Sequence, residues 1–301
     1  MTAPDVSIVL PVFNEVTHLE EEVRRIDKAM ANSEYSYEII VVDDGSSDGS
    51  GELAESLDIT VIRFGNNRGS GSARKFGTMA AAGEIVVWTD VDMTYPNDRI
   101  PELVGSMAGY DQVVGARKTE EGTVKMLRRP AKWLIRRLAS YLSKTKIPDL
   151  NSGFRAFRRD VADQFLYLLP RGFSCVTTIT MAFLSNGYSI KYVPIDYAPR
   201  AGISKFHWLA DTRRYLMQVI RMVLMHEPIR FFGPPSALLF LFGAGKLVYD
   251  LITKDLRPGT NTLVILGAAF ALAGIGLIAD LLVQLNKRRH DVMPAVIVRK
   301  P

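Results

Sequence analysis

Two aspartates one residue apart, in Asp90-Val91-Asp92, can both reach a single hard cation. Magnesium is commonly held by one or two carboxylates and completed by substrate phosphate oxygens. An ion held there neutralises a diphosphate leaving group. A second acidic pair stands in Asp43-Asp44-Gly45-Ser46-Ser47, a run dense in turn and helix-capping residues. Acidic pairs in turns are ordinarily just solvated, so the elements that carry them decide their meaning.

Those elements alternate. The apolar run 6–12 reads as a buried strand, and 17–31 has helical spacing with Leu19, Val23 and Ile26 on one side. Residues 38–42 form a second strand, closed by the first acidic run. A helix over 50–57, a strand over 60–64 and a small-residue helix over 70–82 follow, the last ended by Gly83. A fourth strand, 84–89, runs into Asp90, and another, 112–116, precedes Arg117. Strands alternating with helices predict an α/β fold, a mostly parallel sheet with helices on both faces. Ligands bind such sheets past the carboxyl ends of the strands. Both acidic clusters fall there.

The composition changes near Arg230. Residues 231–251 and 262–285 are two apolar stretches, and at about 1.5 Å rise per residue each is long enough to cross a bilayer core of about 30 Å. The link 253–261 holds Pro258 and Gly259 and reads as the turn of a helical hairpin. Arg221 and Arg230 precede the first span, and Lys287, Arg288 and Arg289 follow the second, against Lys254 and Arg257 in the link. That excess predicts both hairpin ends on the cytoplasmic side. Lys246 and Asp250 can pair at a four-residue spacing. Gly267, Ala271 and Gly274 share one helix face, a packing surface within or between protomers that would permit a homo-oligomer. Segments 123–147 and 207–230 interleave basic with apolar residues, a pattern suited to an anionic membrane surface. With a net charge of only +5 and membrane spans following, nucleic acid is not an expected partner. Cys175 is the single cysteine, so no intrachain disulfide forms. The run 6–12 is too short for a signal-peptide core and has no basic residues before it, which predicts a soluble part that starts in the cytoplasm and stays there.

Five motifs in order carry a family resemblance: Ile8-Val9-Leu10-Pro11-Val12-Phe13-Asn14-Glu15, Val41 to Asp48, Asp90-Val91-Asp92, Asn151-Ser152-Gly153-Phe154-Arg155-Ala156-Phe157, and Pro199-Arg200-Ala201-Gly202-Ile203-Ser204-Lys205. Together they resemble the family 2 glycosyltransferases of the GT-A fold, and within them dolichyl-phosphate mannose synthases and bacterial polyprenyl-phosphate glycosyltransferases. The resemblance covers about residues 5 to 210, and the trailing hairpin suits membrane-anchored members. It implies a GT-A domain over 1–205, an interfacial helix over 206–230, a transmembrane hairpin over 231–285 and a cytoplasmic tail over 286–301. It implies transfer of a hexose from a GDP- or UDP-linked nucleotide-sugar to a polyprenyl phosphate, by one inverting displacement, with Mg2+ or Mn2+ as cofactor. By position it assigns Pro11, Glu15, Asp43, Asp44, Asp90 and Val91 to the nucleotide, and Asp90 and Asp92 to the metal. Arg117, Ser152, Arg155 and Ser204 would receive the acceptor phosphate. Asp92, Arg155, Arg200 and Lys205 would serve the chemistry, the last two from a loop closing over the diphosphate. The sequence departs at Thr94, where many relatives place Gln beside the acidic pair.

Elementary chemistry agrees with these assignments. A phosphate monoester has a second pKa of about 6, so it is mostly dianionic at neutral pH and needs no strong base. It needs positioning and cations that let two anions approach, and the planar fork of arginine binds phosphate bidentately. Two other readings use the same fold: a processive polysaccharide synthase, whose Gln-x-x-Arg-Trp signature is absent from this sequence, and a noncatalytic membrane scaffold that binds nucleotide-sugar. Gly69-Ser70-Gly71 resembles part of a dinucleotide fingerprint, but Arg74 stands where the third glycine belongs. Gly243-Ala244-Gly245-Lys246 lies inside a membrane span and lacks the spacing of a phosphate loop.

Overall fold

A computed structural model describes residues 3–118, 147–172, 174–198, 217, 220, 224, 228–253 and 257–290. The chain divides into two compact units, residues 1–219 and 220–301, so the division falls inside the stretch expected as an interfacial helix. In the first unit seven strands form one sheet in the order β3-β2-β1-β4-β6-β5-β7. They are β1 (Val6–Val12), β2 (Tyr37–Asp43), β3 (Thr60–Arg63), β4 (Ile85–Trp88), β5 (Gln112–Arg117), β6 (Arg155–Arg158) and β7 (Ile190–Ile195). All run parallel except β6, which is antiparallel to both neighbours, β4 and β5.

The helices cover both faces, as expected for strands this apolar. Helix α1 (Val16–Ala31) buries Leu19, Val23, Ile26 and Met30, which pack with Ile8, Leu10 and Val12 of β1 and with Ile100, Leu103 and Val104 of α4 (Ile100–Gly105). Residue 9 points to the opposite face, where α3 (Ser70–Ala80) comes so close that a Cβ on Gly77 would lie 2.3 Å from Val9 Cγ1. Only glycine permits that approach. The short α2 (Ser50–Glu55) links β2 to β3. Past β6 come α5 (Arg159–Asp163) and α6 (Cys175–Ser185). Trp88 of β4 meets Phe157 of β6 edge to face, ring centres 5.0 Å apart.

The second unit is a hairpin of two helices, α7 (Pro228–Thr253) and α8 (Thr260–His290). Both are long and apolar enough to cross a membrane, and large apolar side chains such as Leu238, Leu241, Phe242, Ile252 and Val264 are exposed on their outer surface. Close packing occurs at two glycines, Gly243 against Leu266 and Gly276 against Phe232. Ser236 Oγ donates to the Ala269 carbonyl at 3.1 Å. At the turn, buried Asp250 accepts from the Gly259 amide at 3.0 Å and from the Thr262 hydroxyl, while Lys246 Nζ lies 3.6 Å away. The expected Lys246–Asp250 pair therefore forms part of the turn's fastening. Gly267 and Gly274 face away from α7, with nothing within 4 Å of a Cβ added at either position.

Candidate active site

The sheet order places a topological switch point between β1 and β4: from β1 the chain builds outward through β2 and β3, then returns to the other side of β1. Crevices open at the carboxyl ends of such strands. Four segments meet that edge: the loops after β1, β2 and β4, and, because β6 is reversed, the segment leading into β6.

The first two loops are stitched together. Asn14 adopts a left-handed backbone (φ 56°), and its amide donates to Ser46 Oγ at 3.0 Å while Ser47 N–H donates to Asn14 Oδ1 at 2.9 Å. The Glu15 amide donates to Ser50 Oγ, and Val16 N–H to Asp48. Pro11 lies within β1 opposite Val42. Asp43 ends β2, almost fully buried; Oδ1 accepts from the Ser46 amide at 3.0 Å, and Arg63 approaches Oδ2 at 3.3 Å. Asp44 faces the other way. Its two oxygens accept the amides of Arg68 and Gly69 at 2.7 and 2.8 Å, and burial pushes its carboxyl up. Asp44 thus fastens the loop before α3.

The loop after β4 holds Asp90, buried Val91, and Asp92, which is 8% exposed. Asp90 Oδ1 accepts from Arg74 at 2.5 Å. The loop turns sharply at Met93 (φ 61°), and Thr94 donates to Asp92 Oδ1 from both its amide and its hydroxyl. The departure at Thr94 thereby has a structural account: its hydroxyl orients Asp92. Beneath the loop, buried Asn97 donates to the Asp90 carbonyl at 3.0 Å and to Glu22 of α1, and it accepts from Thr89 Oγ1. Burial pushes the Glu22 carboxyl up.

On the β6 side, Gly153 N–H donates to Tyr95 Oη at 2.8 Å, and Ser152 Oγ is buried without a hydrogen-bond partner among the described residues. Arg155 does not reach the crevice surface. It is fully buried, and its guanidinium donates to the Ser152 and Val176 carbonyls and to Thr180 Oγ1. Burial pushes it down to about 10. Arg117 is already engaged bidentately by Asp149, at 2.7 and 3.0 Å, and stacks over Tyr197 at 5.2 Å. Burial pushes the Asp149 carboxyl up, but Arg117 and two amides outweigh it and hold it below the ordinary range. Arg200, Ser204 and Lys205, like most of the basic segments 123–147 and 207–230, lie outside the described residues. The chain enters that stretch from the site: Ala198 N–H donates to the Thr94 carbonyl at 3.0 Å.

The structure therefore gathers Pro11, Glu15, Asp43, Asp90, Asp92 and Ser152 at one edge and sets Arg155, Arg117 and Asp44 to holding other groups. Four participants were not read from the sequence. Asp149 and Tyr95 carried only weak signals, beside the Asn151 and Asp90 motifs. Arg74 falls inside the false fingerprint, and Asn97 sits in an ordinary turn. That fingerprint is also spent structurally: the Arg171 carbonyl accepts the Gly71 and Ser72 amides, which caps the N-terminus of α3.

The donor chemistry suits a hard divalent ion. Among the described residues no three His, Cys, Asp or Glu side chains converge on one point, so Asp90 and Asp92 can hold such an ion only together with oxygens from elsewhere, as magnesium is held with phosphates.

The family described as "Glycosyl transferase family 2" matches residues 7–166, and "GtrB C-terminal hairpin" matches residues 227–285. Two undecaprenyl-phosphate 4-deoxy-4-formamido-L-arabinose transferases from Klebsiella pneumoniae are 31% identical over 260 residues, covering 82% of this chain and 76% of theirs. Among solved structures, glucosyl-3-phosphoglycerate synthase from Mycobacterium tuberculosis in complex with UDP superposes with a TM-score of 0.59 at 22% identity, over 73% of this chain and 80% of that one. The same enzyme in complex with Mn2+, UDP-glucose and phosphoglyceric acid gives 0.59 at 20% identity. These structures share the fold.

Proposed function

The chain belongs to the family 2 glycosyltransferases, and from that membership we propose that it transfers a sugar from a nucleotide-sugar to a polyprenyl phosphate at a membrane surface. The observation that carries the reading is one chain holding both an acidic sheet edge, with Asp43 after β2 and Asp90–Asp92 after β4 on either side of β1, and a hairpin able to cross a membrane. The curated relatives named above act on undecaprenyl phosphate, and the hairpin matches a family of its own.

In this reading Pro11, Glu15 and Asp43 line the nucleoside, with Asn14 and Ser46 fixing the loops that carry them. Asp90 and Asp92 hold Mg2+ or Mn2+, which neutralises charge on the diphosphate when bound. The Ser152 hydroxyl, buried and unpartnered among the described residues, serves the acceptor phosphate. Arg155 positions it by gripping the Ser152 carbonyl, and Arg117 holds the 149–151 turn through Asp149. Arg200 begins two residues past Ala198, whose amide is anchored to the metal loop. Its role in this reading is to bind phosphate oxygens as negative charge builds on the leaving group, a role it shares with Ser204 and Lys205 of the same motif. One in-line displacement inverts the anomeric carbon. The catalytic domain and both hairpin ends face the cytoplasm, and the Gly267–Gly274 face, turned away from α7, packs between copies.

The test is a panel of nucleotide-sugars against one polyprenyl phosphate in lipid, with the product identified by mass. A metal-dependent polyprenyl-phosphate sugar is expected with one donor. Hydrolysis without lipid product for every donor would refute the assignment. Arg200→Ala should lower turnover by at least about a hundredfold, the scale of one lost stabilising donor, with a smaller change in donor affinity. Arg200→Lys should recover little, because it lacks the fork.

A further inference from the structure

We propose that Arg74 is a positioning residue that makes Asp90 a one-oxygen metal ligand and so sets the site's preference for a small divalent ion over calcium. The inference rests on the metal reading given above. Arg74 lies in α3, only 2% exposed, with its guanidinium over the Trp88 ring at 5.8 Å. It donates from Nη2 to Asp90 Oδ1 at 2.5 Å. Gly153 closes the cradle: a Cβ there would sit 3.0 Å from Asp90 Oδ2, 3.1 Å from Arg74 Nη2 and 3.4 Å from Tyr95 Oη. Asn97 fixes the Asp90 carbonyl from below. Asp90 is thus held at its backbone and at one carboxylate oxygen, and Oδ2 alone has no hydrogen-bond partner among the described residues.

Calcium takes six to eight oxygens and readily accepts a carboxylate through both, whereas magnesium demands compact octahedral geometry. Chelation of an ion by both Asp90 oxygens would put a second cation on the oxygen that Arg74 grips, so the ion competes there with a buried guanidinium for which losing its partner is strongly unfavourable. Ligation through Oδ2 alone keeps the pair. The positive charge of Arg74 weakens every divalent cation alike, so it cancels in a ratio of affinities. The limit on denticity does not cancel.

The experiment uses the full chain in detergent with uridine or guanosine diphosphate. Bound Mn2+ is read by electron paramagnetic resonance while Ca2+ competes. Wild type should keep its Mn2+ at equal Ca2+. Arg74→Met, which fills similar volume, should shift the competition ratio towards Ca2+ by about tenfold, the lower scale for losing a group that orients a ligand. Arg74→Lys should restore most of the preference. A folded Arg74→Met protein with a ratio within about twofold of wild type, well short of that scale, overturns the proposal. Should that variant fail to fold, wild type decides: Ca2+ displacing Mn2+ at equal concentration overturns it as well. No Mn2+ bound to wild type with either diphosphate overturns the metal reading itself, and this inference with it.

Discussion

Asp149 shows how a residue outside every motif can set the behaviour of one inside. Arg117 and Asp149 form a bidentate, largely buried pair, and removing one partner of such a pair leaves an uncompensated charge. Asp149→Ala should destabilise the protein by about 3–5 kcal/mol, read by urea unfolding. The effect has a defined pH dependence. The folded carboxyl sits below its ordinary 3.8, so the unfolded chain binds the proton first as pH falls. The stabilisation is full above 3.8 and is lost as pH drops through the lower folded value. The stability gap between wild type and Asp149→Asn should therefore narrow below that point, and a gap that widens there would show the sign is wrong. Asp92 makes a different prediction. It stands at a strand exit with its carboxylate held by Thr94, so Asp92→Asn should keep the fold, seen by an unchanged thermal transition, and lose metal-dependent turnover. Full activity in that variant, or of wild type in excess chelator, would remove the metal from the site.

Among the elements, the loop after β4 stands on Asn97, which bridges it to Glu22 of α1. Asn97→Leu would strand a buried carboxyl and the Asp90 carbonyl, at a cost of about 1–3 kcal/mol for an unmet buried group. It should also loosen Asp90, so donor KM should rise along with the loss of stability; a stability loss with unchanged KM would mean the bridge does not reach the site. This bridge was not legible in the sequence, because side-chain contacts across elements leave no period. What was legible follows from pattern. Strands β1 to β5 announce themselves as apolar runs between turn signals, and the two acidic clusters fall at their ends. Strands β6 and β7 did not. Arg155 and Arg158 bracket β6 and leave only Ala156 and Phe157 as an apolar run, and Lys191 and Pro194 interrupt β7. Motif likeness located Arg155 in the chain. Its burial follows from β6 lying between two strands, a topology that local spacing does not encode.

For the whole molecule, all of the motifs precede Arg230. A chain cut there should bind nucleotide with nearly unchanged affinity by calorimetry, yet act poorly on long-chain lipid phosphate; a folded fragment that cannot bind nucleotide would put the boundary elsewhere. The reversed strand has a consequence for synthesis. Trp88 completes β4, but the strand that covers its outer edge ends only at Arg158. At about 5–20 residues per second on the ribosome, the nascent four-stranded half waits on the order of ten seconds with an interior edge bare. An uncovered edge of apolar strand invites pairing with other chains. Chaperone demand during translation should therefore peak in that interval and fall once β6 has emerged, well before the first apolar helix of the hairpin is made.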